Sequence, residues 1–192
     1  MKKVLLLLPR GFELVEAAAF IDVFGWNALY GVGKIEICTC GIQKEVPGSF
    51  GQKLMTNTTL DQIVVDEFEA LVLPGGFEEF GFYEEAMGSR VIDLIKTFHE
   101  QNRWIATVCT GALPAAESGI LKGQPATTHN TKKRQQFLAE RGAVLSRERV
   151  VKANRLITSS GPGTALSVAL LLLEQLTDNR NAEKIKKLML VE

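Results

Sequence analysis

Apolar residues fall along this chain in two patterns: short unbroken runs, and longer stretches with a period near 3.6. Val4 to Leu8 is an unbroken run ended by Pro9-Arg10-Gly11, as expected of a strand buried on both faces of a parallel sheet. From Glu13 to Tyr30 the apolar positions Val15, Ala18, Ala19, Phe20, Val23, Phe24 and Leu29 recur at helical spacing. Acids sit in the first turn, where the helix dipole favours them, and Gly31 and Gly33 end the pattern. Ile35, Ile37 and Thr39 alternate with Glu36, Cys38 and Cys40 as in a strand, and Gln43 to Thr56, with Pro47-Gly48 and Gly51, predicts a small hairpin or two edge strands.

The alternation continues through the rest of the chain. Ala70 to Leu73 is a second buried-type strand ended by Pro74-Gly75-Gly76, and Ser89 to Gln101 is an amphipathic helix. Trp104 to Val108 predicts a strand, Thr110 to Ser118 a helix, Pro125 to Thr128 a strand and Lys132 to Arg141 a helix. Ala143 to Leu145, Val150-Val151 and Leu156 to Thr158 read as short strands, and Thr164 to Leu176 as a strongly apolar helix. Repeated βα units predict an α/β fold with a mostly parallel sheet and helices on both faces. No repeat or Ser/Pro-rich linker divides the chain, so residues 1–192 are expected to form one domain.

Composition narrows the partners. Lys plus Arg and Asp plus Glu both total 22, so no global charge draws the chain to nucleic acid or to an anionic membrane. Met1-Lys2-Lys3 and the run after it mimic a signal peptide, but Pro9, Arg10, Glu13 and Glu16 interrupt it too soon. The run Ala165 to Leu173 contains Ser167 and stops at Glu174, short of the roughly 20 residues of a membrane span. Three cysteines without an export leader predict reduced thiols and a cytoplasmic location.

Cys109 is the leading chemical candidate. A buried strand runs straight into it, and Thr110-Gly111-Ala112 then opens a helix, which is the strand-turn-helix setting of a nucleophile elbow. The alternative is a small buried hydrophobe, but the C-terminal end of a central parallel strand is where open α/β sheets place their sites. Gly75 and Gly76, after the second strand, could turn backbone N–H groups toward a ligand, with the Thr110 N–H as a further oxyanion donor; Pro-Gly-Gly is equally an ordinary turn. Glu13 and Glu16, beyond the first strand, could bring a carboxyl to the thiol or could simply complement the helix dipole. His129 ends the strand after Pro125 and so points to the same sheet edge as Cys109, whereas His99 lies among polar residues of an amphipathic helix. Cys38 and Cys40 share one side of a strand without further metal ligands nearby and read as packing residues. Phe77, Phe80, Phe82 and Tyr83 suggest an apolar lid, a dimer surface or plain packing.

These pieces resemble the ThiJ/PfpI superfamily, and within it the branch of the parkinsonism-associated protein deglycase. The likeness rests on Gly11 to Glu16, Val72-Leu-Pro-Gly-Gly76, Val108-Cys-Thr-Gly111, Ala126-Thr-Thr-His129 and Thr158-Ser-Ser-Gly-Pro-Gly-Thr164, and covers nearly the whole chain. The resemblance implies a flavodoxin-like three-layer sandwich, a homodimer, a reactive Cys109, a partly protonated Glu16 hydrogen-bonded to it, and a nearby His129. Thr110 departs from the alanine of the deglycase branch and the histidine of the peptidase branch. Cys-Thr-Gly and Ala-Thr-Thr-His also look like isonitrile hydratase relatives, in which a threonine beside the cysteine contributes to the site. The functions implied are turnover of small reactive carbonyls such as methylglyoxal without metal or nucleotide cofactor, redox sensing by oxidation of Cys109, or isonitrile or amide hydration using Cys109 and Thr110.

Overall fold

The computed structural model describes residues 2–191. The chain runs β1 (Lys2–Leu8), α1 (Leu14–Tyr30), β2 (Ile35–Gly41), β3 (Glu45–Pro47), β4 (Lys53–Met55), β5 (Thr58–Thr59) and β6 (Ala70–Leu73). It continues through α2 (Phe82–Ala86), α3 (Ser89–Glu100), β7 (Trp104–Thr107), α4 (Ala112–Glu117), β8 (Pro125–Ala126), α5 (Lys132–Glu140), β9 (Val144–Leu145), β10 (Val150–Ala153), β11 (Leu156–Ser159), α6 (Ala165–Leu176) and α7 (Asn179–Leu188).

The main sheet has the order β10-β11-β7-β6-β1-β2-β5, parallel except where β10 pairs antiparallel with β11 at one edge. Its five long parallel strands, taken in chain order, stand 2-1-3-4-5, the flavodoxin-like arrangement. Successive side chains of a strand point to opposite faces, and β1 obeys this with apolar residues throughout. Val4, Leu6 and Leu8 enter the core beneath α1, α6 and α7, while Leu5 and Leu7 enter the core beneath α3, α4 and α5. An unbroken apolar run is thus required wherever helices cover both faces.

Three departures from the sequence pattern have physical causes. The strand expected over Pro125 to Thr128 shrinks to β8, which pairs with β9 in a separate two-stranded ribbon and not in the main sheet. The Thr127 N–H goes instead to the Thr158 side chain at 2.9 Å, so the ladder cannot continue. The helix expected from Thr110 opens as a tight 3-10 turn over Cys109–Gly111. The pattern also carried no signal for α7, a polar helix that buries few apolar side chains, Ala182 and Ile185 among them. Asp178 caps it by accepting from the Asn181 N–H at 2.8 Å, and the buried Asn181 amide bonds Asn27 Oδ1 at 2.7 Å, tying α7 to α1. Residues 43–56 form the expected hairpin, as β3 and β4. Among the described residues no helix is long and apolar enough to cross a membrane, and no cluster of three His, Cys, Asp or Glu is arranged to hold a metal ion.

Candidate active site

In a sheet of this order a crevice opens beyond the C-terminal ends of the strands where the order reverses, between β1 and β6. Here the loop after β1 is stitched to the loop after β6. Phe12 bridges Gly76, the Phe77 N–H donates to Gly11 O at 3.1 Å, and the Glu13 N–H donates to Gly75 O at 2.8 Å. Gly11 makes the turn at φ +68°, and a Cβ there would stand 2.7 Å from Phe80 O. The stitching sets the first turn of α1 against the β6 loop. Glu16, wholly buried, accepts the Gly75 N–H on Oε2 at 2.6 Å, and its Oε1 has no hydrogen-bond partner among the described residues.

β7 delivers the cysteine to the same point. Cys109 is held at φ +54°, a left-handed conformation that costs a side-chain-bearing residue roughly 1–2 kcal/mol. The turn closes because its neighbours lack side chains. A Cβ on Gly111 would stand 2.4 Å from Leu73 O, and one on Gly75 would stand 2.6 Å from Thr110 Oγ1 and 3.0 Å from the Cys109 Cβ. The thiol lies beside the Glu16 carboxyl. The Cys109 carbonyl accepts from Thr128 Oγ1 at 2.8 Å, which anchors the segment before His129 to the elbow.

Burial governs the protons. It pushes the Glu16 carboxyl up to about 8, against the Gly75 N–H, which favours the charged form. Burial also pushes the Cys109 thiol up, and a negative charge on Glu16 adds to the rise. Two negative charges therefore do not coexist at this point near neutral pH. Removing one proton leaves a pair that shares the other, as carboxylate with thiol or carboxylic acid with thiolate. A protonated Glu16 is a hydrogen-bond donor beside the sulfur, which a solvated acid could not be.

The backbone donors expected for an oxyanion are otherwise engaged. The Gly75 N–H holds Glu16, and the Gly76 N–H donates to Thr110 Oγ1 at 2.9 Å, so neither faces a ligand oxygen. The Thr110 N–H favours the charged form of the Cys109 thiol. Thr110 Oγ1 also donates to Gly76 O at 3.0 Å, so its hydroxyl clamps the β6 loop and has no proton to lend to a substrate. Thr110→Ala should lower stability by about 1–3 kcal/mol in urea unfolding, because it strands a buried N–H and C=O of Gly76, and Thr110→Ser should recover most of the loss.

His129 does not stand at the end of a main-sheet strand. It follows the short ribbon strand β8, and its Nδ1 lies 3.1 Å from Arg134 Nη1. A guanidinium only donates, so Nδ1 accepts and Nε2 carries the proton. Partial burial and the Arg134 charge push the imidazole below its ordinary value. His99, on α3, is exposed, and Cys40 is buried in the core with Cys38 packed partly against it. Thr128 lay within the Ala126-Thr-Thr-His129 stretch but carried no role of its own there, and Arg134 lay in no motif; only its nearness to His129 could have singled it out.

The chain is similar to the dj-1beta protein of Drosophila melanogaster, 30% identical over 99% of this chain and 97% of that protein. The crystal structure of that protein covers all of this chain and 98% of its own, with a TM-score of 0.87. Schizosaccharomyces pombe DJ-1 is similar at 27% identity, covering 96% of this chain and 97% of its own, with a TM-score of 0.80. An isonitrile hydratase of Pseudomonas putida is 29% identical over 73% of this chain and 59% of that enzyme. The DJ-1/PfpI family pattern matches residues 2–175, which include both loops of the crevice, the elbow and the segment carrying His129. A chain matched over that length belongs to the DJ-1/PfpI family.

Proposed function

We propose that this chain is a cysteine-dependent enzyme of small reactive carbonyls, converting methylglyoxal to lactate or releasing it from its adducts with amines and thiols. One observation carries the reading: a wholly buried carboxyl, Glu16, set beside the thiol of a left-handed elbow, where burial pushes it up to about 8. In the singly ionised pair Glu16 takes the thiol proton and leaves a thiolate. The sulfur adds to the aldehyde carbon, the carbonyl π pair moves to oxygen, and Glu16 returns its proton there, giving a hemithioacetal. Glu16, again a carboxylate, removes the hydrogen from that carbon while the hydroxyl proton passes to the neighbouring ketone oxygen. Return of the first proton to the second carbon gives the lactoyl thioester. Water then supplies hydroxide to the acyl carbon and a proton to the sulfur, so lactate leaves and the thiol is restored. Glu16 is the proton carrier in this scheme because the free His129 nitrogen already carries hydrogen, which suits it to bind an oxygen.

The test is glutathione-free conversion of methylglyoxal followed by proton NMR, for the wild-type chain beside Cys109→Ala. Cysteine-dependent lactate at an enzymatic rate supports the reading. Absence of turnover, with Cys109 still readily alkylated, overturns it in favour of a redox-sensing thiol. Isonitrile or amide hydration draws no support from Thr110, whose hydroxyl is committed to Gly76.

The reading includes a homodimer. Phe50 is held at φ +68° with its side chain largely in water, edge-on to Phe77 and Phe80, and Leu14 and Val15 are also exposed. Presenting a bulky apolar ring to water from a strained backbone is costly unless a second copy covers it. Phe50→Asp should shift the sedimentation coefficient from dimer to monomer; an unchanged value would place the interface elsewhere.

A further inference from the structure

A cavity of about 450 Å³ opens between α2, α4 and α5, away from Cys109. Tyr83, Met87, Leu113 and Phe137 wall it, and Lys133 and Arg134 stand on its lining. The two cations are not equivalent. Lys133 is almost fully exposed and lies 3.9 Å from the Glu78 carboxylate. Arg134 is half-buried, and among the described residues it pairs with no carboxylate; its contacts are the Tyr83 hydroxyl at 3.4 Å and His129 Nδ1 at 3.1 Å. Removing a guanidinium from water without an anion is unfavourable, and its planar fork matches a carboxylate with two parallel hydrogen bonds.

We propose that this cavity is a binding site for an apolar monocarboxylate, a medium-chain fatty acid or an aryl carboxylate, with its carboxylate on Arg134 and its apolar body against Met87, Leu113 and Phe137. The volume is that of ordinary small-molecule sites, and mostly apolar walls with one oriented charge are how such sites combine affinity with direction. Glu78 repels a second negative charge at the rim, which favours a monoanion over a dianion. Because Arg134 also holds Nδ1 of His129, occupancy alters the electrostatic surroundings of the imidazole, so the site reports to the segment anchored on the elbow by Thr128. The proposal goes beyond the carbonyl chemistry of Cys109 and does not depend on it.

The experiment is calorimetric titration of the full chain with hexanoate and, separately, with hexan-1-ol. Hexanoate should bind saturably with one-to-one stoichiometry, and hexan-1-ol at least about tenfold more weakly. Arg134→Met, which keeps the length of the side chain and removes its charge, should weaken hexanoate at least about tenfold, whereas Lys133→Met should change it less than about threefold. Met87→Trp, which fills the apolar end and leaves the charge unaltered, should abolish binding. Cys109→Ala should bind hexanoate as the wild type does, which separates failure here from failure of the catalytic reading. The His129 ring proton resonances should shift on titration of the wild-type chain. Equal affinity for hexanoate and hexan-1-ol, or hexanoate affinity in Arg134→Met within about threefold of wild type, would overturn the proposal.

Discussion

Cys109→Ser should slow glutathione-free lactate formation from methylglyoxal at least about 10³-fold, a rise of roughly 4 kcal/mol in the barrier. Serine is nearly isosteric with cysteine and tolerates the same elbow, so the loss reports chemistry and not collapse of the fold. A hydroxyl beside a carboxyl that ionises only near pH 8 has no acceptor strong enough to make it an alkoxide, and it cannot match a thiolate as nucleophile. Near-UV circular dichroism should be unchanged. A loss below about tenfold would remove covalent catalysis by Cys109 from consideration.

Glu16→Gln should separate proton transfer from hydrogen bonding. The amide can still accept the Gly75 N–H and donate toward the sulfur, so the loop geometry survives, but it cannot carry a proton. Turnover should fall about 10²- to 10⁴-fold. The same variant should alter stability in a pH-dependent way. The carboxyl ordinarily ionises near 4.5 and in the fold near 8, so between those values the folded chain holds a proton that the unfolded chain has lost. The stabilisation is complete below about 4.5 and is lost as pH rises through about 8, amounting to about 5 kcal/mol. Urea unfolding of wild type should therefore weaken steeply across that interval. Glu16→Gln should cross it nearly flat and be the more stable protein at pH 9; parallel profiles for the two chains would show that Glu16 is not protonated in the fold.

Local patterning carried far in this protein where one interaction dominated. The run Val4 to Leu8, broken too soon for a leader, read as a doubly covered strand, and the Trp104 to Ala112 stretch combined a buried strand, a thiol and small residues in the order that builds an elbow. What escaped was decided by contacts between distant residues. Gly75 and Gly76 were legible as a turn, but whether their N–H groups faced a ligand depended on Glu16 and Thr110, which lie 59 and 34 residues away. His129 sits where a Thr127 N–H, captured by Thr158, ends its strand early. That Arg134 pairs with no carboxylate among the described residues is a property of the folded surroundings, since it concerns which carboxylates do not reach it.

The Gly75 peptide has a role beyond positioning one carboxyl. Its N–H grips the side chain of Glu16 and its C=O grips the backbone of Glu13, so one residue locks the first turn of α1 from two directions. Thr110 locks the next residue in the same double manner. Local opening at this point would break several buried bonds together, which ties its breathing motions to those of the sheet itself. The candidate centre is consequently a rigid anvil: a molecule that reaches Cys109 must fit one fixed shape, because the turn around the thiol cannot yield without loosening the sheet.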